Sequence, residues 1–574
     1  MSATIQFWLL FGLLNSMYFV PRYLLEIFHS GFFPVRDFTH GTLGQRLRHL
    51  LIRPNYDIFR VCIDFFVLSI GYVLLFREWV GPVPYAVILS VYYLLSLAYQ
   101  LYFHGFHRIY HLDPVFFHDF LMLKTAGQIF IHEYGIRNLI MTLSAMVFGV
   151  LAVLGNYALT LAGAQVTFGS GSYWCIGVCG AGSLYSVVHY SYTKYPRLTF
   201  QSPLQSLIRN IRISFRSKKS VAALTLNYMT RFNAKPDVQL TMKPNIYLIV
   251  VESYGRMLFE QPGMRDRFIP MLHTIERQLS ENAWQMASAF SSAPVTGGAS
   301  WISYTSLMYG LNVRNQGVYT TMLKNIYMQK YDSLFHWLKR QGYQTFRISS
   351  LGGYESMEIP YDSYSRLYGV DHWIKYKDLA YHGEHYGFGP SPPDQYALWK
   401  GTEHAEQIAA GLPRAIFFIT QNSHTPYDSP HKVADDWRSL SDGSDVVKKP
   451  SAFWSRPKFE KYGEAMQYQL QFLSDFILRH GREDDVFILA GDHQPPSLSQ
   501  TIDNFDTPIH VISKQRAFVD AWSQYGFNTG MLPVPGPAGM QHAGFHWAML
   551  RTLIGQFGVP GSVLPEYLPE GIAY

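Results

Sequence analysis

Hydrophobic positions divide the chain into two parts of different character. Apolar and aromatic residues dominate the first 195 positions, where five runs approach the roughly 20 residues that a helix needs to cross a membrane. The runs span about 4–28, 61–76, 82–103, 138–163 and 173–190. Stretches 107–135 and 205–216 are typical of amphipathic segments at a membrane interface. The pattern therefore predicts a transmembrane domain of about five helices over residues 1–195 and a juxtamembrane linker with an amphipathic helix over 196–243.

The polar part alternates short apolar runs with helical patterns. Strands are predicted at 245–253, 343–350, 414–421, 486–492 and 507–513, and their near-continuous apolar character is typical of strands buried on both faces. Helical patterns lie between them, for example at 332–343 and 458–481. This alternation predicts an α/β domain with a mostly parallel sheet over residues 244–574.

Basic residues bear on orientation and on partners. Five spans followed by an external C-terminal domain require a cytoplasmic N-terminus. The first loop, however, carries Arg36, Arg46, Arg48 and Arg53, and positively charged loops prefer the cytoplasm. One re-entrant segment among the five would remove this conflict.

A second basic cluster follows the last apolar run. It comprises Lys194, Arg197, Arg209, Arg212, Arg216, Lys218 and Lys219. Such a cluster either attracts anionic head groups or forms a solvated linker. The overall net charge of +6 is modest, and no Lys/Arg block is interleaved with aromatic residues, so no nucleic-acid partner is expected. The three cysteines all lie in apolar runs, so the polar part needs no disulfide.

Chemically capable side chains follow three of the predicted strands. Glu252 ends the first, His424 follows the third, and Asp492 and His493 end the fourth. Because ligands bind at the carboxyl ends of parallel strands, these side chains are candidates for one site. A carboxylate beside an imidazole can bind a divalent metal ion. The alternatives are a helix cap or salt bridge for Glu252 and an ordinary loop for the Asp-His pair.

Thr296 is the candidate nucleophile. It precedes two glycines and a helical pattern, so its hydroxyl is expected near a helix N-terminus, where backbone N–H groups favour an anionic phosphoryl group. Coordination to a metal ion would activate the hydroxyl. The alternative is a helix N-cap, and Ser292 and Ser300 are rival nucleophiles.

The motifs VES, VTGGAS, NSHTPY and GDHQPP, in this order, resemble the alkaline phosphatase superfamily. The resemblance is greatest to lipoteichoic acid synthases and to phosphoethanolamine or phosphoglycerol transferases, in which five spans precede an extracytoplasmic sulfatase-like domain. It implies that Glu252, Thr296, Asp492 and His493 bind one divalent metal ion, manganese or zinc. It also implies that Thr296 attacks phosphorus to form a phosphothreonine. His424 would then contact the phosphoryl group or protonate the leaving alkoxide.

Two further residues have less defined roles. By the resemblance His542 contacts substrate or a second metal, and the alternative is a loop or core histidine. Arg347 would bind a phosphate or form a surface salt bridge. True sulfatases carry a Cys or Ser nucleophile followed by Pro and Arg, whereas Thr296 follows Pro294-Val295, which argues against sulfate ester hydrolysis. The His and Trp-x-Arg element of lipoteichoic acid synthases is absent, which leaves the head group open.

The expected function is transfer of a phospholipid-derived head group, phosphoglycerol or phosphoethanolamine. The donor would be a membrane phospholipid and the acceptor a cell-envelope glycan or lipid. The resemblance places the protein in the bacterial inner membrane as a multi-pass protein with an extracytoplasmic catalytic domain. Two alternatives are a membrane-tethered phosphodiesterase or phosphatase and a catalytically inactive envelope scaffold. The retained Glu, Thr and Asp-His set argues against the scaffold.

Overall fold

The chain forms two compact units in a computed structural model, Met1–Arg216 and Ser217–Tyr574. The division falls inside the linker predicted over 196–243. The structure describes residues 2–25, 42–53, 57–110, 114–190, 195, 197–216, 238–314, 316, 318–319, 322, 332–351, 361–386, 391–442, 457–496, 498, 505–533 and 539–572, with only the backbone of 43, 45–47, 107–110 and 117–141. Arg36, in the first loop, and residues 196 and 217–237 of the linker lie outside these ranges.

The first unit is helical. Its helices are α1 Ala3–Leu25, α2 Leu43–Leu51, α3 Ile63–Gly71 with a π-helical turn Tyr72–Phe76, α4 Pro82–Tyr110, α5 Phe116–Gln165, α6 Ser170–Val188 and α7 over 203–216. Strands β1 Val61–Cys62 and β2 Phe200–Gln201 form a short parallel pair. Aromatic and aliphatic side chains of α1, α3 and α4, such as Phe11, Phe65 and Tyr93, form its core.

Helices lie at all five predicted spans. Among the described residues, three stretches are long and apolar enough to cross a membrane: Ala3–Leu25, Pro82–Phe106 and Thr142–Gln165. The helix Ile63–Phe76 is apolar but shorter. Much of the predicted interfacial segment 107–135 belongs to α5, which continues without a break into the third stretch.

The second unit is built on an eight-stranded mixed sheet. Its strands are β3 Ile246–Val251, β4 Gln285–Ser292, β5 Gln344–Ile348, β6 His372–Ile374, β7 Arg414–Ile419, β8 Val486–Gly491, β9 Asp506–Ser513 and β10 Asn528–Thr529. They lie in the order β10-β4-β9-β8-β3-β7-β5-β6. The five strands from β8 to β6 are mutually parallel, whereas β9, β4 and β10 pair antiparallel. The α/β prediction is confirmed, with an antiparallel edge.

Helices cover both faces of this sheet. They are α8 Met257–Glu260, α9 Pro262–Glu281, α10 Ser300–Tyr309, α11 Leu334–Arg340, α12 Tyr361–Tyr368, α13 Asp394–Ala409, α14 Lys458–His480, α15 Arg516–Asp520 and α16 His542–Phe557. Side chains of α9, α13 and α14 pack with Tyr247, Ile249 and Phe418 on one face. Phe417 points to the opposite face, where its ring contacts Tyr304 of α10. Because both faces are covered, all six residues of β3 are buried.

Candidate active site

The sheet order brings the predicted site residues into one row. Strands β8, β3, β7 and β5 are parallel neighbours, so their carboxyl ends meet at one edge. Asp492 and His493 follow β8, Glu252 follows β3, His424 follows β7 and Arg347 lies near the end of β5. Neighbouring strands are about 4.8 Å apart, which places the strand of Arg347 roughly 10 Å from that of Glu252.

Glu252, Asp492 and His493 form a metal-ligand cluster. One ligand atom from each lies within 4.8 Å of the others, and all three residues are buried. His493 Nε2 is 3.4 Å from Glu252 Oε1 and 3.3 Å from Asp492 Oδ2. The Nδ1 atom of His493 is 2.8 Å from the carbonyl oxygen of Gln494, to which it donates, so Nε2 is the nitrogen presented to the cluster. This second hydrogen bond is typical of metal-binding histidines.

One carboxylate oxygen of Asp492 accepts no hydrogen bond from the described residues. Oδ1 accepts hydrogen bonds from the backbone N–H groups of Ser253 and His493, both at 2.8 Å. Oδ2 is buried with no hydrogen-bond partner among the described residues. A buried carboxylate oxygen without a donor is costly, and a metal ion would satisfy it. The residues present therefore fit a divalent cation held by oxygen and nitrogen ligands.

The protonation behaviour agrees with a site built for a cation. Burial, followed by the nearby charge of Glu252, raises the pKa of Asp492 from 3.8 to about 7. Burial lowers the pKa of His493, but the Asp492 and Glu252 carboxylates outweigh it, and the net shift is upward. A divalent ion among these groups would favour the ionised carboxylates and the neutral imidazole.

Ser253 holds the two carboxylates together. Its backbone is in the left-handed region, with φ of 61°, which is strained for a residue other than glycine. Its N–H donates to Asp492, its hydroxyl donates to Glu252 Oε1 at 3.0 Å, and its carbonyl accepts from Tyr462 at 2.8 Å. These three hydrogen bonds maintain the strained conformation and fix the spacing of the ligands.

Thr296 lies in the loop that joins β4 to α10. The helix begins at Ser300, and its N-cap position is Ala299, so the Thr296 hydroxyl is not the N-cap. Gly298 and Ala299 both have positive φ, 83° and 58°, and a glycine suits the first of these turns. Thr296 is 1% exposed. The loop therefore holds this hydroxyl inside the protein, immediately before a helix N-terminus.

Ser300 connects this loop to the cluster. Its hydroxyl donates to Glu252 Oε2 at 3.0 Å and is 3.1 Å from His493 Nε2. Ser303, one turn along α10, donates to the backbone oxygen of Asp492 at 2.5 Å. The sequence analysis named Ser300 only as a rival nucleophile and did not identify Ser253 or Ser303. The sequence signal for all three serines was that they lie in or close to the motifs that carry the candidate site residues.

His424 lies in the loop after β7, next to the cluster's backbone. Ser423 donates its hydroxyl hydrogen to the carbonyl of Glu252 at 2.8 Å. His424 is partly exposed, and its Nδ1 is 2.8 Å from the carbonyl oxygen of Thr425. Donation to that carbonyl places the proton on Nδ1, so Nε2 is the basic nitrogen of the neutral ring.

Asp394, on α13, braces the same loop. Its carboxylate accepts from the backbone N–H groups of Gln421 and Asn422 and from the Gln469 amide. Burial raises the pKa of Asp394 to about 6 against the effect of these hydrogen bonds. Sequence reasoning missed this residue, because a buried acid at the first turn of a helix reads as an ordinary dipole partner.

Arg347 lies among aromatic rings. Its guanidinium carbon is 4.2 Å from the centre of the Trp373 ring, 5.4 Å from that of Phe417 and 5.7 Å from that of Tyr304. Tyr304 belongs to α10, the helix that begins with Ser300. Cation–π contacts hold the guanidinium plane without neutralising its charge, which suits binding of an anion.

His542 lies behind the cluster. Nδ1 is 3.1 Å from the Ser291 hydroxyl, and Nε2 is 2.9 Å from the carbonyl oxygen of Gly491. The ring is fully buried, and burial lowers its pKa to about 4, so it is neutral and Nε2 donates to Gly491. Nδ1 thus contacts β4 and Nε2 the end of β8, which favours the core-histidine alternative. His546, the next histidine on α16, is also buried.

Comparison with known proteins identifies this unit. Residues 244–511 match the sulfatase family model. No curated protein sequence matches the chain.

Three solved structures illustrate what the chain is similar to. The lipoteichoic acid synthase LtaP of Listeria monocytogenes is 15% identical, with 62% of this chain and 80% of that chain covered and a TM-score of 0.38. The Streptococcus pyogenes phosphoglycerol transferase GacH, in complex with sn-glycerol-1-phosphate, is 12% identical. The match covers 58% of this chain and 81% of that chain, with a TM-score of 0.34. The soluble domain of the Neisseria meningitidis lipooligosaccharide phosphoethanolamine transferase A is 12% identical. The match covers 56% of this chain and 93% of that chain, with a TM-score of 0.33. Over residues 244–511 the second unit is thus a sulfatase-like α/β domain.

Proposed function

We propose that the protein is a membrane-anchored, metal-dependent phosphotransferase. It transfers a phosphoglycerol or phosphoethanolamine head group from a membrane phospholipid to an envelope glycan or lipid. The observation that carries the proposal is the buried cluster of Glu252, Asp492 and His493, with an unpartnered carboxylate oxygen at its centre. We assign residues 1–195 to the membrane domain of about five helices, 196–243 to the linker and 244–574 to the catalytic domain. The bacterial inner membrane, with this domain outside the cytoplasm, is the proposed location.

Glu252, Asp492, His493 and the Thr296 hydroxyl would hold one manganese or zinc ion. When bound, the ion supplies positive charge that favours the alkoxide form of Thr296 and offsets charge on the phosphoryl oxygens. Two carboxylates, an imidazole and a hydroxyl suit either of these metals. Ser300 and Ser303 keep α10, the helix that follows the Thr296 loop, against the ligands.

The first half-reaction forms a phosphothreonine. The Thr296 hydroxyl releases its proton to solvent and Oγ attacks phosphorus, the bond from phosphorus to the diacylglycerol oxygen breaks, and that oxygen takes the Nε2 proton of a doubly protonated His424, which is left neutral. Diacylglycerol leaves, and the head group stays on Thr296 as a phosphodiester. Arg347 binds a non-bridging phosphoryl oxygen, since its guanidinium keeps its charge among aromatic rings.

The second half-reaction reverses these roles. An acceptor hydroxyl gives its proton to His424 and attacks phosphorus, and the bond from phosphorus to Thr296 breaks. The product is the acceptor carrying the head group, and Thr296 Oγ takes a proton from solvent to regain its hydroxyl, while His424 is again doubly protonated. Water as acceptor would give hydrolysis by the same steps, so the acceptor decides between transferase and hydrolase.

Diacylglycerol release from a fluorescent phospholipid tests the proposal. The full chain in detergent is incubated with manganese or zinc and labelled phosphatidylglycerol or phosphatidylethanolamine. We expect release by the parent and a loss of about 10³-fold or more in Thr296→Ala, because a nucleophile has no substitute. Mass spectrometry of an acceptor-starved reaction is expected to find the head group on Thr296.

Controls separate the nucleophile from its surroundings. Ser292→Ala, at a rival position at the end of β4, is expected to keep activity. Thr296→Ala must still bind metal and melt within a few degrees of the parent, which shows an intact fold. Release by Thr296→Ala at the parental rate would refute the assignment. Absence of release with either lipid and either metal, in folded and metal-loaded parent protein, would refute the lipid donor.

A further inference from the structure

Helix α7, in the first unit, buries polar side chains and exposes apolar ones, which is the reverse of a surface helix in a water-soluble protein. The side chains of Ser206, Asn210 and Ser214 are buried. Asn210 and Ser206 hydrogen bond to the hydroxyl of Tyr99 on α4, at 2.7 and 3.0 Å.

The outer side of α7 is apolar. It exposes Leu204, Ile208, Ile211 and Phe215, which are 50%, 41%, 40% and 58% exposed. A helix that buries serine and asparagine and exposes four large apolar side chains has its outer surface in contact with something apolar. Because this unit has three described stretches able to cross a membrane, the apolar surroundings of the outer side of α7 are lipid.

A groove of about 740 Å³ lies along this helix, between α7, the start of α3 and the end of α6. Arg209, Arg212 and Arg216 line it at positions i, i+3 and i+7, so they follow one side of α7. Arg209 lies 5.7 Å from the centre of the Tyr190 ring. Apolar residues complete the walls: Ile63, Val187, Leu204, Ile208 and Ile213.

The one acid in the groove already has a structural role. Asp64 Oδ1 accepts from the Ser202 hydroxyl at 2.7 Å, and Oδ2 accepts from the Leu204 N–H at 2.9 Å and the Tyr92 hydroxyl at 3.1 Å. Its carboxylate thus caps the N-terminus of α7. Among the described residues that line the groove, three arginines accompany one carboxylate, which is a net charge of about +2.

We propose that this groove binds the head group of an anionic phospholipid. The arginines would donate to the phosphodiester, and the apolar walls and the outer side of α7 would contact the acyl chains. The positive charge selects lipids with a net negative charge over zwitterionic lipids that carry the same phosphate. This site lies wholly within the first unit, and its existence does not depend on the proposed phosphotransferase activity.

Equilibrium binding of labelled phosphatidylglycerol to the full chain in neutral detergent tests the proposal. We expect saturable binding that weakens at high salt. The triple variant Arg209→Gln, Arg212→Gln, Arg216→Gln should bind more than tenfold more weakly, since each cation near a lipid surface is worth about fivefold. Labelled phosphatidylcholine should bind the parent far more weakly.

A matched triple variant removes the same charge elsewhere. Arg265→Gln, Arg277→Gln and Arg516→Gln neutralise exposed arginines of the second unit and should leave binding unchanged. If the groove triple variant aggregates, Arg212→Gln alone, at an exposed position, should weaken binding about fivefold. Equal binding by parent and groove variant would overturn the proposal. Equal affinity for phosphatidylcholine would also overturn it, by showing apolar association only.

Discussion

The metal-free protein should become more stable when Asp492 is replaced by asparagine. In the folded chain the pKa of this buried carboxyl is raised from 3.8 to about 7. Because the folded pKa lies above the unfolded one, stability is lost as pH rises from about 4 to about 7. The difference corresponds to about 4 kcal/mol at 1.36 kcal/mol per tenfold change. Asp492→Asn removes this ionisation.

Thermal unfolding of the chelator-treated full chain in detergent measures the effect. At about 2 °C per kcal/mol, the melting temperature of Asp492→Asn should exceed that of the parent by roughly 8 °C at pH 8, with no gain from this source at pH 4. Saturating metal should narrow this difference, because a ligand at 100 times its dissociation constant adds about 2.7 kcal/mol to the form that binds it. The variant's affinity should fall by more than 100-fold, beyond the loss seen for outer-shell partners.

Asp485 provides the matched control. It immediately precedes β8, whereas Asp492 immediately follows it, and both carboxylates are buried. The two oxygens of Asp485 accept from the Asn245 amide at 2.8 Å and the Arg482 N–H at 3.0 Å. Asp485→Asn should therefore keep the parental metal-induced rise in melting temperature. The reasoning is refuted if the metal-free parent and Asp492→Asn melt together at pH 8, or if metal stabilises both equally.

Two further predictions concern the support of the site. Gly491→Ala should abolish metal binding and lower the free energy of unfolding in denaturant by about 3 kcal/mol or more. The reason is that a Cβ at this position would lie 2.0 Å from the Tyr254 carbonyl oxygen. Gly463→Ala is the control, because the space around its Cβ is open. Asp394→Asn should cost about 2–4 kcal/mol, since its amide would face three N–H donors. Unchanged unfolding midpoints would contradict both expectations.

The sequence-based predictions succeed where a local pattern determines the outcome. All five predicted strands form, because continuous apolar runs of β-branched and aromatic residues suit a sheet covered on both faces. Strand β4 was missed, because QMASAFSS is rich in small residues and has no β-branched ones. It forms because β9 and β10 pair with its two edges. The edge strands β6 and β10 were missed too, and they are three and two residues long.

The candidate site shows the same difference between residues that a local pattern identifies and residues whose role depends on distant contacts. Glu252, Asp492 and His493 were found because each follows a recognisable strand, and the structure brings them together. The roles of Thr296, His424 and Arg347 in the reaction stay predictions. Ser253 lies in the motif VES, but its role was not predicted, because that role depends on a left-handed backbone and on contacts across the sheet. Hydrogen bonds between distant segments have no signature in a single sequence.

The adjacency of β3 and β8 has a consequence for biogenesis. The proposed metal ligands Glu252 and Asp492 directly follow these strands, which pair along six residues, although the two carboxylates are separated by 240 positions in the chain. Between them in sequence come β4, β5, β6 and β7, and β8 must then insert beside β3 at the centre of the sheet. A nascent chain that ends before β8 lacks two of the three clustered ligands. Metal loading at the proposed site would therefore report that the chain has been synthesised past β8 and that the long-range pairing of β3 with β8 has formed.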